Sequence, residues 1–193
     1  MGDAKLQELL DKQAIAEVVT TYARAIDRLD EALLRSVFHP GSRHSHGFVG
    51  PSSDPSLPST PEQPGDFVAF AFGALRTHTR THHQLGNIMV ELDGIAAYVE
   101  TYFTAYHRMR AQGDPLAAPA AAETEMDFWV GGRYLDRFEK RDGHWKITHR
   151  TGLTDWMRTE PPRSQGYEDL PPELLGCRSE DDLVYRRREQ FEV

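Results

Sequence analysis

The chain has 193 residues and only one cysteine, Cys177. An intrachain disulfide and a cysteine-ligated zinc are both excluded. No stretch approaches the ~20 apolar residues of a membrane span. Basic side chains are outnumbered by acidic ones, 22 to 30, for a formal net charge of -8. A surface of that sign repels phosphate backbones, so neither nucleic acid nor membrane is expected as a partner. The opening MGDAKLQELL has no apolar signal core with a basic flank, and Leu6 stands where a myristoylation signal needs Ser or Thr. A cytoplasmic protein is the expectation. There is no Gly-rich phosphate loop, no G-x-S-x-G elbow, no dinucleotide fingerprint and no internal repeat.

What is present suits one globular domain. Hydrophobic residues make up 39% and charged ones 27%, enough to bury one core. Residues 5 to 29 place Leu6, Leu9, Leu10, Ile15, Val18, Val19, Tyr22, Ile26 and Leu29 at helical spacing. Asp30 can cap a second helix, EALLRSVF, ended by Pro40-Gly41. Residues 50 to 66, with five prolines and four serines, read as a loop, and DFVAFAFGALR as a helix. Two hairpins follow. The first runs from HQLGNIMVEL through Asp93-Gly94 to IAAYVETYFTAYHRM. The second runs from EMDFWVGGRYLDRFEKR through Asp142-Gly143 to HWKITHRTGLTDWM. Between them, residues 111 to 123 form a loop of small residues. Helices first and antiparallel strands after predict an α+β domain over residues 1–157, its curved sheet wrapped around the N-terminal helices and enclosing a cavity. Residues 158–193 read as an extension packed on the domain or on a partner subunit.

Few residue types here can carry chemistry. Asp27 lies off the apolar stripe, which predicts a surface carboxylate, yet a carboxylate at a helix C-terminus is electrostatically disfavoured. His82 and His83 occupy THHQLGN; alternation turns one inward and one outward without saying which, because Gly86 can mark a bulge. An interior imidazole paired with a carboxylate would form a general base. Arg150 alternates with Lys146 and Thr148, opposite Trp145, Ile147 and His149, and its face looks either into the cavity or out. His44 and His46 share one face of a short strand. They are read as pocket-lining hydrogen-bonding groups rather than as metal ligands, and no metal is expected. Phe48, Phe103, Phe128 and Trp129 are candidate aromatic walls, which favours an aromatic or polycyclic substrate.

Three segments together carry a resemblance. QAIAEVVTTYARAID fits a Q-x-I…Y-x-x-x-x-D helix, THHQLGN fits a T-x-H-x-x-x-N strand start, and YLDRFEKRDGHWKITHR fits a final hairpin. In this order they resemble the SnoaL-like branch of the nuclear-transport-factor-two-like superfamily, over about residues 5 to 157. That branch includes hexachlorocyclohexane dehydrochlorinase, bile-acid 7α-dehydratase and, more distantly, scytalone dehydratase. The resemblance implies an α+β cone in a homodimer or homotrimer, with no cofactor and an Asp–His dyad. Carried over, the dyad falls on Asp27 and on His83, four residues before Asn87. The cavity arginine falls on Arg150 and a catalytic tyrosine on Tyr22. The expected activity is a lyase acting on a hydroxylated small molecule, releasing water or a small carbon fragment such as formaldehyde. An isomerase or cyclase that returns the proton to its substrate, and a non-catalytic binding protein, remain the alternatives.

Overall fold

The computed structural model describes residues 2–46, 67–76, 78–109, 125–162 and 170–189. Helix α1 spans Gly2–Arg28, α2 Glu31–Ser36 and α3 Phe67–Leu75. The strands are β1 Phe38–His46, β2 His78–Asp93, β3 Ala96–Met109, β4 Met126–Arg141 and β5 His144–Glu160. They form one sheet of order β1-β5-β4-β3-β2. With the helices on one face, this is the α+β cone. Among the described residues no helix is long and apolar enough to cross a membrane.

The inner face of the sheet closes on α1 to α3. Ile15, Val19, Ile26, Leu34, Phe72, Phe138 and Ile147 are buried there almost completely. The N-terminal part of the α1 stripe behaves differently. Leu6, Leu9 and Leu10 are more than half exposed, because this end of α1 extends past the sheet. At its other end Leu29 adopts φ 54°, a left-handed residue that stops the helix. Asp30 then accepts a 2.9 Å hydrogen bond from Leu33 N and caps α2.

Three expectations need correction. The second helix ends at Ser36, and Phe38 already opens β1, which runs through Pro40-Gly41. An edge strand tolerates that proline because one side of its backbone has no ladder partner. Second, β1 pairs with β5 in parallel while the other pairs are antiparallel, so the sheet is mixed. Third, the turn of the first hairpin centres on Gly94–Ile95, with Gly94 at φ 60°. The second turn does centre on Asp142–Gly143, both at positive φ.

Irregular register shapes the sheet. The pairing of β4 with β5 shifts between Arg137 and Phe138, which leaves Thr148 as the extra residue. Trp145, Ile147 and Arg150 are therefore all buried, although strict alternation would put Arg150 on the opposite face. One inserted residue reverses parity for everything beyond it. A second shift falls between Gly131 and Gly132, and a third on β2 between Leu85 and Ile88, at Gly86-Asn87.

Gly132 is required at its position by space. A Cβ there would lie 1.9 Å from the Leu153 carbonyl oxygen, a backbone atom that cannot rotate away. Gly132→Ala should destabilise the fold by about 1–3 kcal/mol, the usual range for overpacking, as read by the midpoint of urea unfolding.

Candidate functional site

The last turn of α1 lies against the first half of β2. There Asp27 grips His83 twice. Its Oδ2 accepts from the His83 backbone N–H and its Oδ1 from ring Nδ1, each at 2.8 Å. Burial alone would raise the Asp27 carboxyl. The hydrogen bonds and charge of His83 outweigh burial and hold its pKa down to about 2. An ionised carboxylate can only accept, so Nδ1 carries the proton. In its neutral form the imidazole is then the tautomer whose Nε2 carries the lone pair. Both side chains are 8% exposed.

The surface placement expected for Asp27 is thus wrong. Periodicity marks the face of α1 that meets the apolar core. The end of this helix is enclosed on further sides, by β2 and by the C-terminal extension. Arg28 donates to Asp182 at 2.6 Å and to the Cys177 carbonyl at 2.8 Å. Tyr185 donates to Asp30 at 2.8 Å.

Two further histidines join the dyad. Cross-strand pairing sets Thr81 opposite His107 and His83 opposite Ala105, so His83 and His107 share the inner face. Their rings meet edge to face at 5.3 Å between centroids, and His107 also packs near Phe128 at 5.8 Å. His78 Nδ1 lies 3.1 Å from His107 Nδ1. Burial, with the charges of Arg178 and His83, lowers the His78 pKa to about 4. Burial first, then the charge of His83, keeps His107 well below the ordinary imidazole value. Both are neutral near pH 7, so one ring donates and the other accepts. Among the described residues no three His, Cys, Asp or Glu side chains are arranged to hold a metal ion.

Arg150 and Tyr22 form a second group. Arg150 faces inward and is fully enclosed. Its Nε and Nη2 donate to the two Asp136 oxygens at 2.7 and 2.6 Å. Its guanidinium sits between the rings of Tyr22 and Tyr134, at 3.9 and 4.2 Å from their centroids. A free cavity cation was the expectation; the structure shows a cation already neutralised. Burial raises the Tyr22 pKa against the pull of Arg150, so the phenol keeps its proton. The two groups are five residues apart on α1, ~7.5 Å of helix rise. Along β3 their rows, through Ala105 and through Val99, lie six residues apart, ~20 Å of extended strand.

Residues 7–151 match the family described as a SnoaL-like domain. The chain belongs to this SnoaL-like family. No match is found among curated proteins. Solved structures share the fold at low identity. The hexachlorocyclohexane dehydrochlorinase LinA-type3 of Novosphingobium barchaimii is 15% identical with TM-score 0.64, covering 87% of this chain and 99% of that one. A candidate scytalone dehydratase of Novosphingobium aromaticivorans is 21% identical with TM-score 0.59, covering 86% and 99%. The Kfla4162 protein of Kribbella flavida is 18% identical with TM-score 0.62, covering 78% and 95%.

The remaining candidate residues of this SnoaL-like chain scatter. His44 stacks on Phe67 at 4.0 Å and bonds Ser42 at 3.1 Å. With Phe38, His39 and Arg43 it borders a cavity of about 590 Å³. Phe103 stacks on Tyr134 at 4.3 Å and touches both parts of the core. Phe128 faces inward beside His107. Trp129 packs on Tyr106 on the opposite face of the sheet, so it is no wall of the interior; its neighbour Phe128 takes the inward position. Asn87 is exposed at the β2 irregularity, which removes it from the interior. Phe48 and the His46 side chain lie outside the described residues. Sequence reading missed His78, His107 and Arg178. For His107 the hairpin alone misleads: regular pairing back from the Gly94–Ile95 turn would set it opposite His82, and only the shift at Gly86-Asn87 brings it to the His83 face. Nothing local marks Arg178.

The buried histidines set an acid limit. A base whose pKa is depressed by folding binds protons more readily when unfolded, so stability falls as pH falls. The His78 contribution is complete above its unfolded value of 6.5 and is lost towards about 4, on the order of 3 kcal/mol. His107 adds a loss of the same sign. Asp27, depressed from 3.8 to about 2, adds stability that persists down to about pH 4 and is lost only below it. Urea unfolding from pH 7 to 4 should show this decline, and His78→Gln should flatten it.

Proposed function

We propose that this SnoaL-like protein is a cofactor-independent lyase acting on an aromatic or polycyclic hydroxylated small molecule. The observation that carries the reading is the double grip of Asp27 on His83. It fixes the ring orientation and tautomer, and leaves one nitrogen with a lone pair at a nearly enclosed position. Such an arrangement is a general base already oriented before substrate arrives.

In the proposed reaction His83 Nε2 takes a proton from carbon. The C–H electron pair forms the new double bond, and the C–O bond breaks with its pair on oxygen. The imidazolium, stabilised by Asp27, returns the proton to that oxygen, and water leaves. Starting from a hydroxyl proton, the O–H pair forms the C=O of formaldehyde as the adjacent C–C bond breaks with its pair on the remaining carbon, which the imidazolium then protonates. Both courses are redox-neutral and need no oxidant or reductant. Phe128 and Phe103 offer apolar surface near the dyad for a flat ring. Arg150, Asp136, Tyr22 and Tyr134 hold the wall further along the sheet. The names of the structural neighbours, a dehydrochlorinase and a candidate dehydratase, agree with elimination chemistry on this scaffold. A second copy of the chain is the proposed partner. Its place is the outer sheet face, where Met89, Tyr98, Leu135 and Trp156 remain exposed.

Incubation with a panel of aromatic and steroid-like alcohols, read by product mass, tests the reaction. Lost mass supports elimination, and unchanged mass with altered structure indicates isomerisation. On a substrate so identified, His83→Ala and Asp27→Asn should each lower kcat about 100- to 10,000-fold. Full activity in both folded variants rejects the mechanism. Sedimentation equilibrium should give a multiple of the chain mass, and a monomer at micromolar concentration rejects the proposed self-association.

A further inference from the structure

Arg178 reaches the site from the C-terminal extension. Its Nε donates to the main-chain carbonyl of Asp27 at 3.4 Å, and its Nη1 to the carbonyls of Leu75 and His78, each at 2.7 Å. It thereby ties together the ends of α1 and α3 and the start of β2. Those acceptors are all neutral. Among the described residues Arg178 has no ion pair, and its buried Nη2 has no hydrogen-bond partner. A guanidinium nitrogen enclosed without a hydrogen-bond partner is costly. Burial lowers the Arg178 pKa to about 10, with the charge of Asp27 opposing the fall. The charge is also felt at His78 and His107. A purely structural staple accounts for Nε and Nη1. It leaves Nη2 without a purpose.

We propose that Arg178 is the cation that meets the anionic centre of the substrate during elimination, the place that sequence reasoning gives to Arg150. Arg150 also has one nitrogen without a partner, Nη1, but its charge is cancelled by Asp136. As His83 removes the proton and the C–O bond breaks, the electron pair collects on oxygen. The Arg178 Nη2–H donates to that oxygen until the imidazolium protonates it. The site thus selects substrates in which an oxygen becomes anionic beside the proton removed. This assignment rests on the lyase reading above.

The test uses 4-bromobenzoate and its neutral counterpart 4-bromobenzamide, titrated calorimetrically into the full chain near neutral pH. The unaltered protein should prefer the carboxylate by about tenfold or more. Arg178→Gln should lose that preference, and Arg178→Lys should keep part of it. His83→Ala should retain it, since the cation remains. Equal binding of the two probes, binding of neither, or a preference that survives in folded Arg178→Gln overturns the proposal. Crystals of the unaltered protein with 4-bromobenzoate give a reading independent of how any variant folds. The anomalous signal of bromine orients the ring. A carboxylate within hydrogen-bond distance of Arg178 Nη2 supports the assignment; one at Arg150 or elsewhere, or none, overturns it. Full turnover in His83→Ala with the anion preference intact would remove the lyase reading and leave the anion site standing.

Discussion

The structure depends on one contact, the clamp of Asp27 on His83. It joins the end of the first helix to the edge strand of the sheet and spans 56 residues of chain. A carboxylate at that end of a helix faces the negative pole of the dipole. Two donors from one residue offset the penalty, and one of them is a backbone amide. That amide makes the helix hold the strand itself as well as its side chain. Ring orientation, tautomer and the seat of β2 are thus set together.

Around the clamp the inner face divides into two electrostatic regions. One contains Asp27, three imidazoles and Arg178, which among the described residues has no direct ion pair and one nitrogen without a partner. The other holds Arg150 and Asp136 between two tyrosines and is neutral as a unit. A buried pair with full hydrogen bonding is costly to break and poor at recruiting a ligand. The second region therefore serves as wall and register mark, and the first has chemical capacity left over. The bulge at Thr148 turns Arg150 onto the face that meets α1, where it packs on Tyr22 while Asp27 of the same helix holds His83.

Much of this was legible in the sequence, for identifiable reasons. Helical and strand periods are local properties, so element order and the two hairpins could be read directly. The choice between His82 and His83 was not local, and the interval to Asn87 supplied it only through a family resemblance. Arg150 shows where local reading stops. Its identity marked it as important, but one inserted residue at Thr148 controlled its facing, and Asp136 across the strand controlled its charge. The burial of Asp27 was hidden because helical periodicity reports one face, while a distant strand and the C-terminal extension cover others. The parallel pairing of β1 with β5 likewise joins segments about a hundred residues apart.

The C-terminal extension has a kinetic meaning as well. Arg28 and Asp182 are 154 residues apart, and Asp27 and Arg178 are 151 apart. Contacts of such separation carry a large loop-closure entropy and form after local structure is in place. Helix, hairpins and clamp can assemble from nearer neighbours as the chain emerges. The contacts of Arg178 with Asp27, Leu75 and His78 therefore carry a larger closure cost than the Asp27–His83 clamp. The clamp lies within residues 27–83, whereas the guanidinium beside it comes from a part of the chain about a hundred residues further on, so the electrostatic surroundings of the clamp depend on a segment remote from both its elements.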